Sequence, residues 1–422
     1  MILPKSNLWI LFNIQILPNT SIDVFITFNE ESVSCPYCHG KVKSHGYYQK
    51  KLTHSTLANR SCTIYYKQRR YRCRHCEFTF HENNPFALPN EHLTYETKFN
   101  VLTDLKFSHI TYTYVAQKYH ISTTPVLRLF DKHVNIPRKP LPEVLSMDEH
   151  FFPESSFDSL YICILMDFKT GTLIDVLPDR KKDYLRHYFD TIYNTTLNTK
   201  THSSELDNVR YISIDLYDNY RDISKLYFKH AKICANPFHV LKNLSDFFRN
   251  LRLRCRKQTQ YEDMQYLLSK FNNIFNHNFY LDNPPKYNKR FKRRLNYRDI
   301  LHMLFDRFPE LETAYDLKEA YIEFNKTATL DNAAEQLETL IQAFEDSGIH
   351  EYIPFVTLLK NWRVEIINSF TCIDTRRINN SYIKSRNSII ENLLINANGF
   401  SNRKRTRNRI LYCVNRMDTF KL

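Results

Sequence analysis

The sequence predicts a multidomain chain of α+β and α/β parts, and three observations lead there. Two Cys-x-x-C pairs, Cys35/Cys38 and Cys73/Cys76, bracket strand-like residues near the start. Helix-spaced segments follow and run into a proline-rich linker at Pro137, Pro140 and Pro142. Beyond it, β-rich runs alternate with helical ones, and acidic residues sit at the ends of two of those runs. At 422 residues there is room for two or three domains with their own cores. A hydrophobic content of 42% excludes a disordered chain. Lys and Arg number 59 against 45 Asp and Glu, and the resulting charge of +14 favours a polyanionic partner, most simply nucleic acid. A membrane surface is disfavoured because no basic amphipathic helix is evident. The apolar run 8–12 is too short to span a bilayer and lacks the flanks of a signal peptide, so a cytoplasmic protein is expected.

Residues 1–90 read as an N-terminal segment with a zinc ribbon. Four thiolates in two Cys-x-x-C knuckles, Cys35, Cys38, Cys73 and Cys76, can turn back on one Zn²⁺ and close its tetrahedral shell. Ten cysteines without a paired framework fit a reducing compartment and one such structural site. A hairpin is expected between the knuckles, with Ile64–Tyr66 and Arg69–Arg72 supplying strands. Arg69, Arg70 and Arg72 make this module basic and are candidate phosphate contacts.

Residues 91–137 read as a helix-turn-helix. Apolar spacing is helical over 95–105 and 112–120, Ser122 or Thr123 can cap the next helix, and Pro125 suits its first turn. The last helix would enter the major groove and offer Thr123, Thr124 and Arg128 to DNA.

Residues 143–245 carry strand-like 143–152 with Asp148, then 159–167 and 172–177. A helix follows, then strand 209–215 ending in Asp215, a helix, strand 231–235, and a helix opened by Pro237-Phe238-His239. Three antiparallel strands, a helix, a strand, a helix and a strand is the element order of an RNase H-like fold. In that fold the ends of strands one and four meet, and Asp148 and Asp215 occupy those places. Asp167, Asp175 and Asp218 read as turn or surface carboxylates, and Glu149 as the competitor of Asp148. Residues 246–380 are rich in helical patterning and nearly free of strand signals. They contain the basic, aromatic-interleaved cluster Lys289, Arg290, Lys292, Arg293 and Arg294, a candidate DNA contact.

The knuckles, Asp148-Glu149, Ile212–Asp215, Pro237–Val240 and the block Asn387–Glu391 resemble bacterial insertion-sequence transposases of the ISL-three family, over nearly the whole chain. That resemblance implies a DDE catalytic domain with a long helical insertion, and a final segment 381–422 in which Glu391 supplies the last acidic residue. It also implies two Mg²⁺ or Mn²⁺ ions held by Asp148, Asp215 and Glu391, with His239 orienting a ligand or touching the scissile strand. Double-stranded DNA, as terminal inverted repeats and target, is the implied partner of a homodimer or higher multimer on the bacterial nucleoid. The stretch Asn396–Phe400 and the basic tail with Arg403, Lys404 and Arg405 also look like the family's ending. Trp362 has two readings, a base-stacking residue, suggested by related DDE enzymes, and a core tryptophan. One position departs from the family: Asn236 stands where an acidic residue often precedes the Phe-His segment. A catalytically decayed DNA-binding protein is therefore the alternative function, and a nuclease on structured nucleic acid a third.

Overall fold

The computed structural model describes residues 10–16, 21–29, 33–57, 60–152, 159–397 and 402–415. Leu8 and Trp9 of the first apolar run, and Asn398, Gly399 and Phe400 of the closing stretch, lie outside them. The chain divides into two compact units. One comprises the described residues up to Pro137 and from Ser388 on, the other those from Arg138 to Asn387.

The first unit opens with strands β1 (Ile10–Ile16), β2 (Ile22–Phe28), β3 (Val42–Leu57), β4 (Arg60–Cys73) and β5 (Thr79–His81) in one sheet. Their order is β1-β2-β4-β3, with β5 also on β4; only β2 and β4 run parallel. Strict alternation in β2 buries Ile22, Val24, Ile26 and Phe28 against Leu52, Ile64, Tyr66 and Phe86. The two strand segments expected at Ile64–Tyr66 and Arg69–Arg72 are one continuous strand. Lys67 and Gln68 break the apolar run without breaking the ladder, because β4 continues to pair with the long β3 through them.

Three short helices follow: α1 (Tyr95–Asp104), α2 (Tyr112–Lys118) and α3 (Thr123–His133). Thr94 caps α1 and Thr111 caps α2 through their side-chain oxygens, each taking an orphan amide. Ser122 occupies the cap position of α3 without a side-chain bond, and Pro125 lies in the first turn as its fixed φ allows. The tight turn before α3 places His120 at φ 52°. Val115 and Ala116 of α2 and Val126, Leu129 and Phe130 of α3 are buried, leaving Thr124 and Arg128 exposed.

The second unit is built on a sheet of β6 (Val144–Phe151), β7 (Tyr161–Asp167), β8 (Leu173–Leu177), β9 (Tyr211–Ile214) and β10 (Lys232–Ala235). Between these come α4 (Lys182–Thr196) and α5 (Asp218–Tyr227). The order β10-β9-β6-β7-β8 joins an antiparallel half, β6-β7-β8, to a parallel half, β6-β9-β10. Alternation along β6 sends Leu145 and Met147 into the main core, while Val144 packs on the opposite face with Phe168, Cys234 and Ile378.

A helical body continues the same core: α6 (Pro237–Gln258), α7 (Glu262–Lys270), the hairpin β11 (Lys286–Asn288) and β12 (Arg293–Leu295), then α8 (Tyr297–Arg307). It ends with α9 (Pro309–Thr327), α10 (Ala333–Asp346), α11 (Ile353–Asn361), α12 (Arg363–Asn368) and a second hairpin, β13 (Cys372–Ile373) with β14 (Arg376–Arg377). Trp362, one of the two tryptophans, is only 4% exposed in this core, and the Arg221 guanidinium lies 4.3 Å from its ring. Its packing is that of a core residue, with the ring face taken by Arg221.

Helix α13 (Ser381–Ala397) starts in the second unit, and its residues from Ser388 count with the first. The last helix, α14 (Arg403–Asn415), completes the first unit's helical cluster. Tyr412 meets Phe130 edge-on at 5.8 Å and donates to the Leu102 carbonyl, while Asn408 donates to Val134. Arg405 pairs with Asp131 (Nε–Oδ1 2.8 Å), and Arg403 also has a partner. No described helix is long and apolar enough to cross a membrane.

Candidate metal centres and active site

Two groups of side chains bring metal-ligating atoms together among the described residues. The first is Cys35, Cys38, Cys73 and Cys76. Cys35 and Cys76 sulfurs lie 3.6 Å apart and Cys38 and Cys73 sulfurs 3.5 Å apart. A tetrahedron of Zn–S bonds has edges of about 3.8 Å, so the cage is already of the size zinc needs. A Cβ added at Gly40 would sit 3.3 Å from Cys38 Sγ and 3.5 Å from Cys73 Sγ, so glycine lets the first knuckle close on the sulfurs. The amide of Cys76, burial opposing it, and the amide of His75 hold the Cys73 thiol down to about 6, while, against the Phe78 amide, burial and the three neighbouring sulfurs push Cys76 up to about 12. The residues fit a closed structural zinc site.

The second group is Asp148, Asp215 and His239, whose ligand atoms all lie within 4.8 Å of one another. Register explains the meeting. Met147 of β6 is paired in parallel with Ile214 of β9, so the next residues, Asp148 and Asp215, emerge side by side on one face. His239 arrives from the first turn of α6, whose start is fixed by Pro237 and by Asn236 as its cap. Its Nε2 approaches Asp215 Oδ2 to 3.0 Å, yet that oxygen accepts no aligned hydrogen bond. Asp215 Oδ1 accepts from the Asn236 and Asn380 amides at 3.1 and 3.3 Å.

The carboxylates are 7% and 4% exposed, and two negative charges so close cannot both be maintained without a cation. Burial, and then the charge of Asp215, push the Asp148 carboxyl up to about 9. Burial alone would raise Asp215 too, but His239, Asp148 and Asn236 hold it below the usual carboxylate range. Metal-free, the pair is therefore one proton shared by two acids, with the proton on Asp148. A divalent cation would replace that proton, and oxygen ligands of this kind suit Mg²⁺ or Mn²⁺.

Glu149, the alternative to Asp148, is turned away and ion-paired with Arg180, whose guanidinium stacks 3.9 Å from Tyr161 and 4.8 Å from Tyr217. Glu391 is exposed on α13, in the part of that helix that counts with the first unit. The residue that touches Asp215 from that part of the chain is Asn380, just ahead of α13. It was missed in the sequence, where a lone asparagine before a helix carries no signal. Asn236 was visible only as a departure from the family pattern. Asp175, expected at a turn or on the surface, is buried, because it accepts from the Tyr188 hydroxyl at 2.9 Å and from the Val176 amide. Asp167 does hold a turn, through Lys169 and Thr170, and Asp218 pairs with Arg221.

Several expected DNA contacts also need correction. Arg69 is 5% exposed and its guanidinium reaches the Phe28 carbonyl and the Tyr47 and Tyr71 hydroxyls, so it braces the sheet instead of facing phosphate. Arg70 bonds Thr79 and Arg72 pairs with Glu77, both near the surface. Arg290 is tied to Glu262 and Asp263, while Lys289, Lys292 and Arg294 are exposed.

A search of curated proteins found no match. A family model described as Transposase (DDE_Tnp_ISL3) matches residues 145–410, well over half of the chain, and spans Asp148, Asp215 and His239. The chain belongs to the ISL-three family of transposases.

Proposed function

We propose that the protein binds the terminal inverted repeats of an insertion sequence and cuts and rejoins DNA with divalent cations. The observation that carries this reading is the buried Asp148–Asp215 pair, placed where the parallel pairing of β6 with β9 ends, within a chain of the transposase family. The order of its five strands supports an RNase H-like catalytic domain. In this reading Asp148 and Asp215 would hold the divalent cations, which would activate the attacking and leaving oxygens of the phosphodiester, and His239 would orient Asp215. Glu391 is the further acidic residue that the family resemblance offers, and it would help hold the cations. The four cysteines hold structural zinc. Helices α1–α3 act as a helix-turn-helix with Thr123, Thr124 and Arg128 of α3 toward DNA, and the protein works as a multimer on paired ends. Arg403 and Lys404 add to the basic surface, whereas Arg405 is neutralised by Asp131.

One observation favours a second reading, a catalytically decayed DNA-binding protein. Among the described residues the group contains two carboxylates, with amides at Asn236 and Asn380 beside them. The deciding experiment incubates wild type and Asp215→Asn with labelled DNA bearing the element's own ends and Mn²⁺ or Mg²⁺. End-specific cleavage by the wild type alone is the expected result. End binding without cleavage by the wild type would establish the decayed copy, and equal cleavage by both proteins would remove Asp215 from the mechanism.

A further inference from the structure

The β11–β12 hairpin divides a basic run into two kinds of cation. Between residues 283 and 298 there is no Asp or Glu, yet six Lys and Arg fall within 286–294. Two of the six are bound inward. Arg290 is held by Glu262 (2.9 Å) and Asp263 of α7 and lies 5.5 Å from the Tyr266 ring; Arg293 donates to the Met303 sulfur of α8 at 3.1 Å. Leu295 is buried and Phe291 packs on the core, and Asn288 closes the turn by accepting the amides of Arg290 and Phe291. The hairpin is thus fastened to the helical body along one face.

The other face is different. Tyr287 stands directly opposite Arg294 in the ladder, and the two point to the same side. Tyr287 is 61% exposed, and Lys286, Lys289, Lys292 and Arg294 are exposed with no carboxylate partner among the described residues. A rigid ribbon carrying four unneutralised cations around a solvent-facing tyrosine has the chemistry of a polyphosphate contact: the cations displace counterions and the hydroxyl donates to phosphate or sugar.

We propose that this hairpin is a second DNA contact, separate from the N-terminal unit, gripping the backbone of duplex DNA. Lys286, Tyr287, Lys289, Lys292 and Arg294 make the contact, and Arg290 and Arg293 are its braces. The assignment rests on the transposase reading for its choice of polyanion, and it is tested without cleavage.

Full-length protein is titrated onto a fluorescent duplex of arbitrary sequence, and onto one of its single strands, over a range of salt. The comparison protein is the quadruple variant Lys286→Ala, Lys289→Ala, Lys292→Ala, Arg294→Ala. Each lost phosphate contact lowers the slope of log affinity against log salt by about 0.9, so the variant is expected to lose up to about 3.6 on the duplex. A Lys286→Gln, Lys289→Gln, Lys292→Gln, Arg294→Gln version, keeping side-chain length, should lose the same slope with an unchanged melting temperature. Unchanged slopes in both variants would overturn the proposal, and so would a loss confined to the single strand. Failure of the wild type to cut element ends, with the duplex slope lost as expected, would count against the transposase reading alone.

Discussion

The two metal-suited groups solve opposite problems. The cysteine cage gathers four soft ligands from two knuckles that each need only local turns, and the sulfurs are already at zinc-compatible distances without the ion. The aspartate pair gathers hard ligands from a parallel strand junction and from α6, and without a cation it is frustrated: a proton substitutes for the ion on Asp148. A closed cage of thiolates has the chemistry of a structural site, whereas the aspartates are buried and His239 beside them is half-buried.

That contrast breaks most visibly at Cys38. Cys38→Ser should release one zinc per chain and melt the knuckles, since structural zinc contributes binding energy on the order of 10 kcal/mol. Zinc release to a colorimetric chelator, with end binding followed in parallel, reads the result. Retained zinc and retained end binding would mean that the cage is not structural. Mn²⁺ affinity at the aspartates should not change.

At the acidic pair the contrast appears as pH dependence. The folded pKa of Asp148, about 9, lies above its ordinary carboxylate value, so the folded chain holds more protons from about pH 4 up to about 9. Metal-free stability should therefore fall as pH rises through that window. A dication has to displace the proton, so Mn²⁺ binding should tighten by up to about tenfold per pH unit and release one proton at pH 7. Calorimetry in buffers of different ionisation enthalpy checks both. The same affinity at pH 6 and pH 8, with no proton released, would contradict the shared-proton description.

The smallest expected effect concerns Asn380, which holds Asp215 Oδ1 and reaches the Met147 carbonyl. Asn380→Ala should weaken Mn²⁺ binding by about tenfold, the effect of losing a residue that orients a ligand, while leaving the cysteine cage loaded. An unaltered Mn²⁺ affinity would reduce Asn380 to a packing residue.

Local chemistry was legible in the sequence. The cysteine spacing needed no tertiary knowledge, and the three helices before the linker were readable from apolar spacing and Pro125, although Ser122 makes no capping bond with its side chain. Asp148 and Asp215 were readable as well, since a carboxylate in a β-rich run is unusual wherever it occurs; Asp215 directly follows β9, whereas Asp148 lies inside β6, which continues to Phe151. The helical body was legible as a whole, although its two hairpins were not, because strands of two or three residues show no period.

The residues of the sequence therefore determined which ligands exist and on which elements they ride. The tertiary structure decided which of them meet. Asn380 reaches Asp215 across 165 residues, Arg69 and Trp362 turn inward, and Asp175 is buried under Tyr188. The physical reason is that burial and pairing are properties of packed neighbours far away in the chain, whereas caps, turns and knuckles depend on residues within a few positions of one another.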